Sequence, residues 1–159
     1  MLEKKNFYIN GEWVAPKNPK DIEVINPATE KSCAVISLAG KEDVNYAVIA
    51  AKEAFKTWGF SSKADRIALL ETFYTLYKKR WNDITDAIIQ EMGAPKDFAS
   101  KLQTGTGASH TKSFIKYLKE FEFERTLGDH AKNQKILYEP KGVCALITPW
   151  NWPMNQVCL

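Results

Sequence analysis

At Gly40 the hydrophobic pattern of this chain changes, and the switch divides it into a strand-forming start and a helical middle. Before it, Phe7-Tyr8-Ile9 and Trp13-Val14 flank Asn10-Gly11, a pair suited to the left-handed positions of a tight hairpin turn. Ile22 to Ile25 and Ala34 to Leu38 flank Asn26-Pro27-Ala28-Thr29-Glu30-Lys31, whose proline and asparagine favour a turn, so a second hairpin is expected. After it, Val44, Ala47, Val48, Ala51, Ala54, Phe55 and Trp58 recur at helical steps between acidic Glu42 and Asp43 and the stop at Gly59. This predicts an amphipathic helix. A second starts after Ser61 or Ser62, carries Ile67, Leu70, Tyr74, Tyr77 and Trp81 on one face, and continues through Ile84, Ala87, Ile88 and Met92 to Gly93. Its aromatic residues read as core. Pro95 suits a first helical turn, and a further helix runs from Lys96 toward Phe121, weakened at Gly105 and Gly107, where small residues allow close approach.

From Glu122 the helical signal fades, and Lys135-Ile136-Leu137-Tyr138 and Val143 to Thr148 read as strands around Pro140-Lys141-Gly142. The closing PWNWPMNQVCL reads as the turn after a strand and the start of a helix. Its apolar end, Val157-Cys158-Leu159, lacks a partner within the chain on this reading, and a truncated chain is expected.

Composition narrows the function classes. With 159 residues, 45% hydrophobic and 26% charged, the chain has the makeup of a globular protein and not of a disordered or collagen-like one. No apolar run reaches the roughly 18 residues of a membrane helix and MLEKKNFYING has no apolar signal core, so a cytoplasmic protein without a membrane partner is expected. The net charge of +3 arises from interspersed 22 basic and 19 acidic residues, which makes nucleic acid an unsuitable partner. Lys78-Lys79-Arg80 reads as the cationic end of a helix. Cys33, Cys144 and Cys158 match neither a zinc ribbon nor a CxxC pair and are expected to be reduced, mostly buried thiols.

Candidates for chemistry are few. Gly105-Thr106-Gly107 has His110 at the third glycine position and no strand just before it, so a dinucleotide loop is rejected. His110 and His130 have no carboxylate or cysteine at ligand spacing; no metal site is expected. Cys144 lies in an apolar strand on this reading, where burial would hide it, and Cys33 has no base beside it. That leaves Ile147-Thr148-Pro149-Trp150-Asn151-Trp152-Pro153, a strand running into a turn, where open α/β sheets bind ligands. Asn151 also reads as a helix N-cap, and both roles are compatible: a cap uses the side-chain oxygen, leaving the amide NH2 free to donate.

GVCALITPWNWP closely resembles the strand-turn segment of the aldehyde dehydrogenase superfamily. FYINGEW and INPATEK resemble that family's N-terminal hairpins, EDVNYAVIAAKEAF its first long helix and QEMGAPKDFA a later helix boundary, all in the family's order. The resemblance implies an α/β fold: the N-terminal part of the aldehyde dehydrogenase fold, with β-hairpins, several amphipathic helices and the first strand of a Rossmann-like parallel sheet, incomplete. It divides the chain into the N-terminal part of a cofactor-binding domain (1–121), an oligomerisation arm (122–141) and the first strand and turn of the nucleotide-binding sheet (142–159).

In that family a cysteine thiolate attacks an aldehyde, the thiohemiacetal oxyanion collapses by hydride transfer to NAD or NADP, and a glutamate-activated water hydrolyses the thioester. By resemblance Asn151 is the oxyanion-hole asparagine. Ile147, Thr148, Pro149 and Trp150 line the adenosine side of the cofactor cleft, largely through backbone atoms. Trp152 is an aromatic wall of the aldehyde tunnel, or simply covers the helix start. The resemblance puts the nucleophilic cysteine, the general-base glutamate and the glycine-containing cofactor motif beyond Leu159, so residues 1–159 alone are expected to be inactive. It implies an aldehyde as substrate, NAD as the default cofactor over NADP, and a homodimer or homotetramer of the full-length enzyme. The alternative is a noncatalytic interaction module that pairs with a full-length subunit through Lys135 to Tyr138.

Overall fold

The computed structural model describes residues 1–159. Strand β1 (Leu2–Lys4) is followed by a hairpin of β2 (Phe7–Ile9) and β3 (Glu12–Val14). Asn10 and Gly11 turn it with φ of 54° and 83°, left-handed values that match the twist of the strands they join. The second hairpin pairs β4 (Asp21–Asn26) with β5 (Lys31–Ser37), its turn closed by Ala28 N–H donating to Asn26 Oδ1 at 2.9 Å. Both hairpins stand where the turn chemistry puts them. β1 carries no local signal for its role: it pairs in parallel with β5, Leu2 opposite Ala34, making a sheet of order β1-β5-β4.

Helix α1 (Lys41–Trp58) starts at the period change. Asp43 Oδ2 accepts the Gly40 N–H and Oδ1 the Lys17 N–H, each at 2.9 Å, which ties the helix start to the loop after β3. The backbone N–H of Lys17 first, and that of Gly40 next, hold the Asp43 carboxyl below the usual carboxylate range. A depressed folded-state value stabilises the fold above the unfolded pKa of about 3.9 and loses that contribution as pH falls. Thermal midpoints measured between about pH 6 and pH 3 should therefore fall more steeply for the parent chain than for Asp43→Asn; parallel curves would show that this carboxylate does not couple to folding. The apolar stripe of α1 is largely uncovered, Val44, Val48 and Ile49 all being exposed, because β2 is the main element that touches it.

The expected second helix is two. α2 (Lys63–Lys79) is capped by Ser62, whose Oγ accepts Asp65 N–H while Asp65 Oδ2 accepts Ser62 N–H. It ends at Arg80, with φ −101° and ψ 19°, and α3 (Trp81–Met92) sets off from the same residue. The break lets α2 pack along the later helix Gly105–Glu120 while α3 turns onto the segment preceding it. A straight helix could not meet both, and the apolar period runs through Arg80 without registering the bend. Lys78 and Lys79 do end a helix, and α3 stops at Gly93 with φ 66°.

The third helical stretch is continuous but not uniform: α4 (Lys96–Phe98), a π-helical turn Ala99–Thr104 and α5 (Gly105–Glu120). Pro95 is the residue before the first turn and not within it. Beyond α5, β6 (Glu124–Thr126) and β7 (Lys135–Leu137) form a two-stranded antiparallel ribbon, held to the end of α5 by Phe121 against Phe123 and Tyr138 at 5.0 and 5.1 Å. Helix α6 (Pro153–Cys158) closes the described chain.

Val143 to Thr148, expected as a strand, has no ladder partner here and all its residues are exposed. A strand needs a neighbour to take its N–H and C=O groups, and no other strand lies beside this one. Cys144 is consequently exposed and not hidden, while Cys33 and Cys158 are half-buried; none is paired. The closing apolar helix is not without a partner either. α6 lies against α5, and the small core of Ile88, Ala94 and Ala99 includes Met154 at its edge. No helix is long and apolar enough to cross a membrane.

Candidate functional site

The turn before α6 is fixed from beneath by the π-helical segment. Thr104 is fully buried, its carbonyl accepting the Tyr77 hydroxyl at 2.8 Å and its own hydroxyl 3.0 Å from Thr85 Oγ1. Trp81 Nε1 donates to Ser100 Oγ at 3.0 Å. Tyr77 and Trp81 are therefore core residues with satisfied polar tips, and burial pushes the Tyr77 hydroxyl well above its usual pKa, so it stays a neutral donor. A π segment bonds i→i+5 where the α-helix on either side bonds i→i+4, and this wider turn changes the direction of the side chains it carries.

Gln103 is the side chain so aimed. It is 1% exposed, and its Nε2 donates to the main-chain carbonyl of Asn151 at 3.2 Å. Gly107, on the next turn, lets α6 come down: a Cβ there would sit 2.5 Å from the Tyr77 hydroxyl and 3.0 Å from Met154 Cβ. This is the close approach that the small residues promised. His110 Nε2 meets Asn155 Oδ1 at 2.8 Å, which makes His110 a tether for α6. Burial raises the pKa of the Cys158 thiol, partly offset by the Thr111 hydroxyl, so it is a weak nucleophile.

Asn151 itself is exposed, and its side chain makes no hydrogen bond within the chain. It is not the helix cap. Pro153 occupies the first turn of α6 and Trp152 the cap position, with φ −139°, because a proline at the first helical position makes the residue before it the boundary. The amide of Asn151 is thus free to donate outward. Trp152 is half-buried, its ring edge-on to Phe98 at 5.5 Å and 67°, so it does cover the start of α6. Ile147, Thr148, Pro149 and Trp150 lie together on the surface beside this turn, with Ile147 94% and Trp150 76% exposed. Their backbone groups make no hydrogen bond within the chain, which leaves N–H and C=O groups available to a ligand.

The expected residues are therefore contiguous in space as in sequence, while Gln103, Tyr77, Thr104 and His110 belong to their support. Nothing in one sequence marks Gln103, a lone glutamine in a helical pattern. The nearest signal was the pair of glycines that follows it.

Comparison with known proteins gives these residues a setting. The sequence model of the aldehyde dehydrogenase family matches residues 13–159. A 3-succinoylsemialdehyde-pyridine dehydrogenase from a Pseudomonas species is 44% identical over 99% of this chain and 32% of its own length. An aldehyde dehydrogenase from Bartonella henselae superposes with a TM-score of 0.97 at 48% identity, covering 99% of this chain and 33% of that one. A mutant aldehyde dehydrogenase C from Pseudomonas syringae, solved with NAD+ and octanal, gives a TM-score of 0.91 at 38% identity over 97% of this chain and 31% of that one. The chain spans about a third of the length of the curated relatives it matches. Its fold is α/β, that of the corresponding region of these enzymes, and the chain belongs to the aldehyde dehydrogenase family.

Proposed function

We propose that this chain contributes the oxyanion donor and one wall of the cofactor cleft to an enzyme that oxidises an aldehyde to a carboxylic acid with NAD or NADP, NAD being the default. The observation that carries the reading is Asn151: an exposed residue on a turn anchored from below, outside the helix cap, with a side-chain amide that has no partner in the chain. When an aldehyde carbonyl is attacked, its oxygen gains negative charge. A neutral amide donor already in place stabilises that charge without reorganising.

The cofactor's own contribution, when bound, is to accept a hydride from the substrate carbon. Residues fit it on one side: Ile147, Thr148, Pro149 and Trp150 offer unbonded main-chain groups and an exposed apolar surface, suited to a flat adenosine moiety held largely through backbone contacts. Trp152, edge-on to Phe98, would present its half-exposed ring to the aldehyde, and an aromatic wall favours an apolar or aromatic substrate. The β6–β7 ribbon within 122–141 keeps a free edge at Lys135–Leu137, which supports a role in pairing subunits into a dimer or tetramer. We place the working enzyme in the cytoplasm.

Two preparations test the reading. A family-length subunit containing residues 1–159 should reduce NAD or NADP when given aldehydes. The 159-residue chain alone should form no reduced cofactor, since burial raises the pKa of the Cys158 thiol and exposed Cys144 bonds only to the Gly142 carbonyl. Turnover by the short chain would show that the nucleophile lies within it, and a silent family-length subunit would favour a binding role.

A further inference from the structure

We propose that Gln103 is a positioning residue for Asn151, holding the asparagine's main chain so that its amide points at the developing oxyanion. This rests on the reading of Asn151 as that donor. Gln103 comes from the π-helical turn, 48 residues away in sequence, and its Nε2 donates to the Asn151 carbonyl at 3.2 Å. With its own side chain unbonded and Trp152 and Pro153 continuing into α6, Asn151 has this one polar anchor. Fixing the carbonyl fixes the peptide plane after Asn151 and the position of the Cα from which the side chain departs.

The anchor cannot easily shift. Thr104, the next residue, is locked between Tyr77 and Thr85, and Ala99 at the start of the same turn is fully buried.

The second observation is a cost. Gln103 Oε1 is buried without a hydrogen-bond partner, the one such side-chain atom in the chain. Buried amides are nearly always satisfied, and an orphaned acceptor destabilises the fold. Methionine or leucine would fill the same space without it, while the carbonyl of Asn151, a residue exposed at the surface, would turn to water. A residue that stability alone would replace is explained by what its donor does to Asn151.

The test uses the family-length enzyme with Gln103→Met, Gln103→Leu, Asn151→Ala and the double variant Gln103→Met/Asn151→Ala. Gln103→Met should lower kcat about tenfold, since a displacement of a catalytic group near 1 Å has effects of that size or more. The KM for cofactor should stay within about twofold and the thermal midpoint should hold or rise. The double variant should turn over no more slowly than Asn151→Ala, because a positioning residue has nothing left to position. Three results overturn the proposal while leaving Asn151 as donor: unchanged kcat in Gln103→Met with Asn151→Ala crippled, losses that multiply in the double variant, or both Gln103 variants failing to fold. Near-normal turnover in Asn151→Ala would instead remove the oxyanion reading, and this proposal with it.

Discussion

Asn151→Ala and Asn151→Asp, made in a family-length subunit, are each expected to lower kcat by about a hundredfold or more, the loss measured when one preorganised oxyanion donor is removed. Alanine takes away the donor. Aspartate keeps the shape of asparagine but brings a negative charge toward an oxygen that is itself becoming negative, so it should be at least as damaging. The structure makes this a clean experiment, because the Asn151 side chain neither caps α6 nor makes a hydrogen bond within the chain. Its Cβ substituent can change while Gln103 still holds the main-chain carbonyl. Folding should therefore be preserved, and steady-state kinetics beside a thermal melt would separate the two effects. Near-normal turnover in either variant would leave Asn151 as an ordinary surface residue of the turn.

The other large effect is expected at Gly107. Adding a single methyl there places a carbon 2.5 Å from the Tyr77 oxygen and 3.0 Å from Met154, and the tyrosine cannot yield without breaking its bond to the Thr104 carbonyl. Gly107→Ala should thus destabilise the fold by about 2 kcal/mol, within the usual range for forced overpacking. Gly105 supplies the control, two residues earlier on the same helix. A Cβ there meets nothing closer than 3.9 Å, and its φ of −60° is helical. Gly105→Ala should stabilise by about 0.5–1 kcal/mol by restricting the unfolded chain. Denaturation midpoints measured in one background should move in opposite directions. If both rise, α6 is free to lift off α5, and the tight docking of Met154 is not what holds the turn at Asn151.

Elements whose causes are local were legible from residue types alone. Asn10-Gly11 turns its hairpin and Ser62 caps α2, because turn and cap chemistry depends on residues a few positions apart. The stops at Gly59 and Gly93 follow for the same reason. The segment ending in Asn151 was singled out through its likeness to a family. The same patterns missed several features decided by a distant partner, although they did anticipate the close approach at Gly107 and the core role of Tyr77. Arg80 breaks an unbroken period because α2 and α3 must meet different parts of one long helix. Val143 to Thr148 has the composition of a strand but no ladder partner, which leaves Cys144 on the surface. β1 has little apolar signal and becomes a strand because β5 offers it an edge.

The site divides along the same line. The chemistry proposed for it, an amide donor on a turn beside unbonded backbone, resides in a short run of sequence whose residue types are sufficient to suggest it. Its aim depends on contacts the linear chain does not display: Gln103 reaching the Asn151 carbonyl, Gly107 admitting Met154, Tyr77 bracing the π turn. Periodicity and capping report on neighbours a few residues apart, whereas the direction of a side chain is set by whatever the fold packs beneath it.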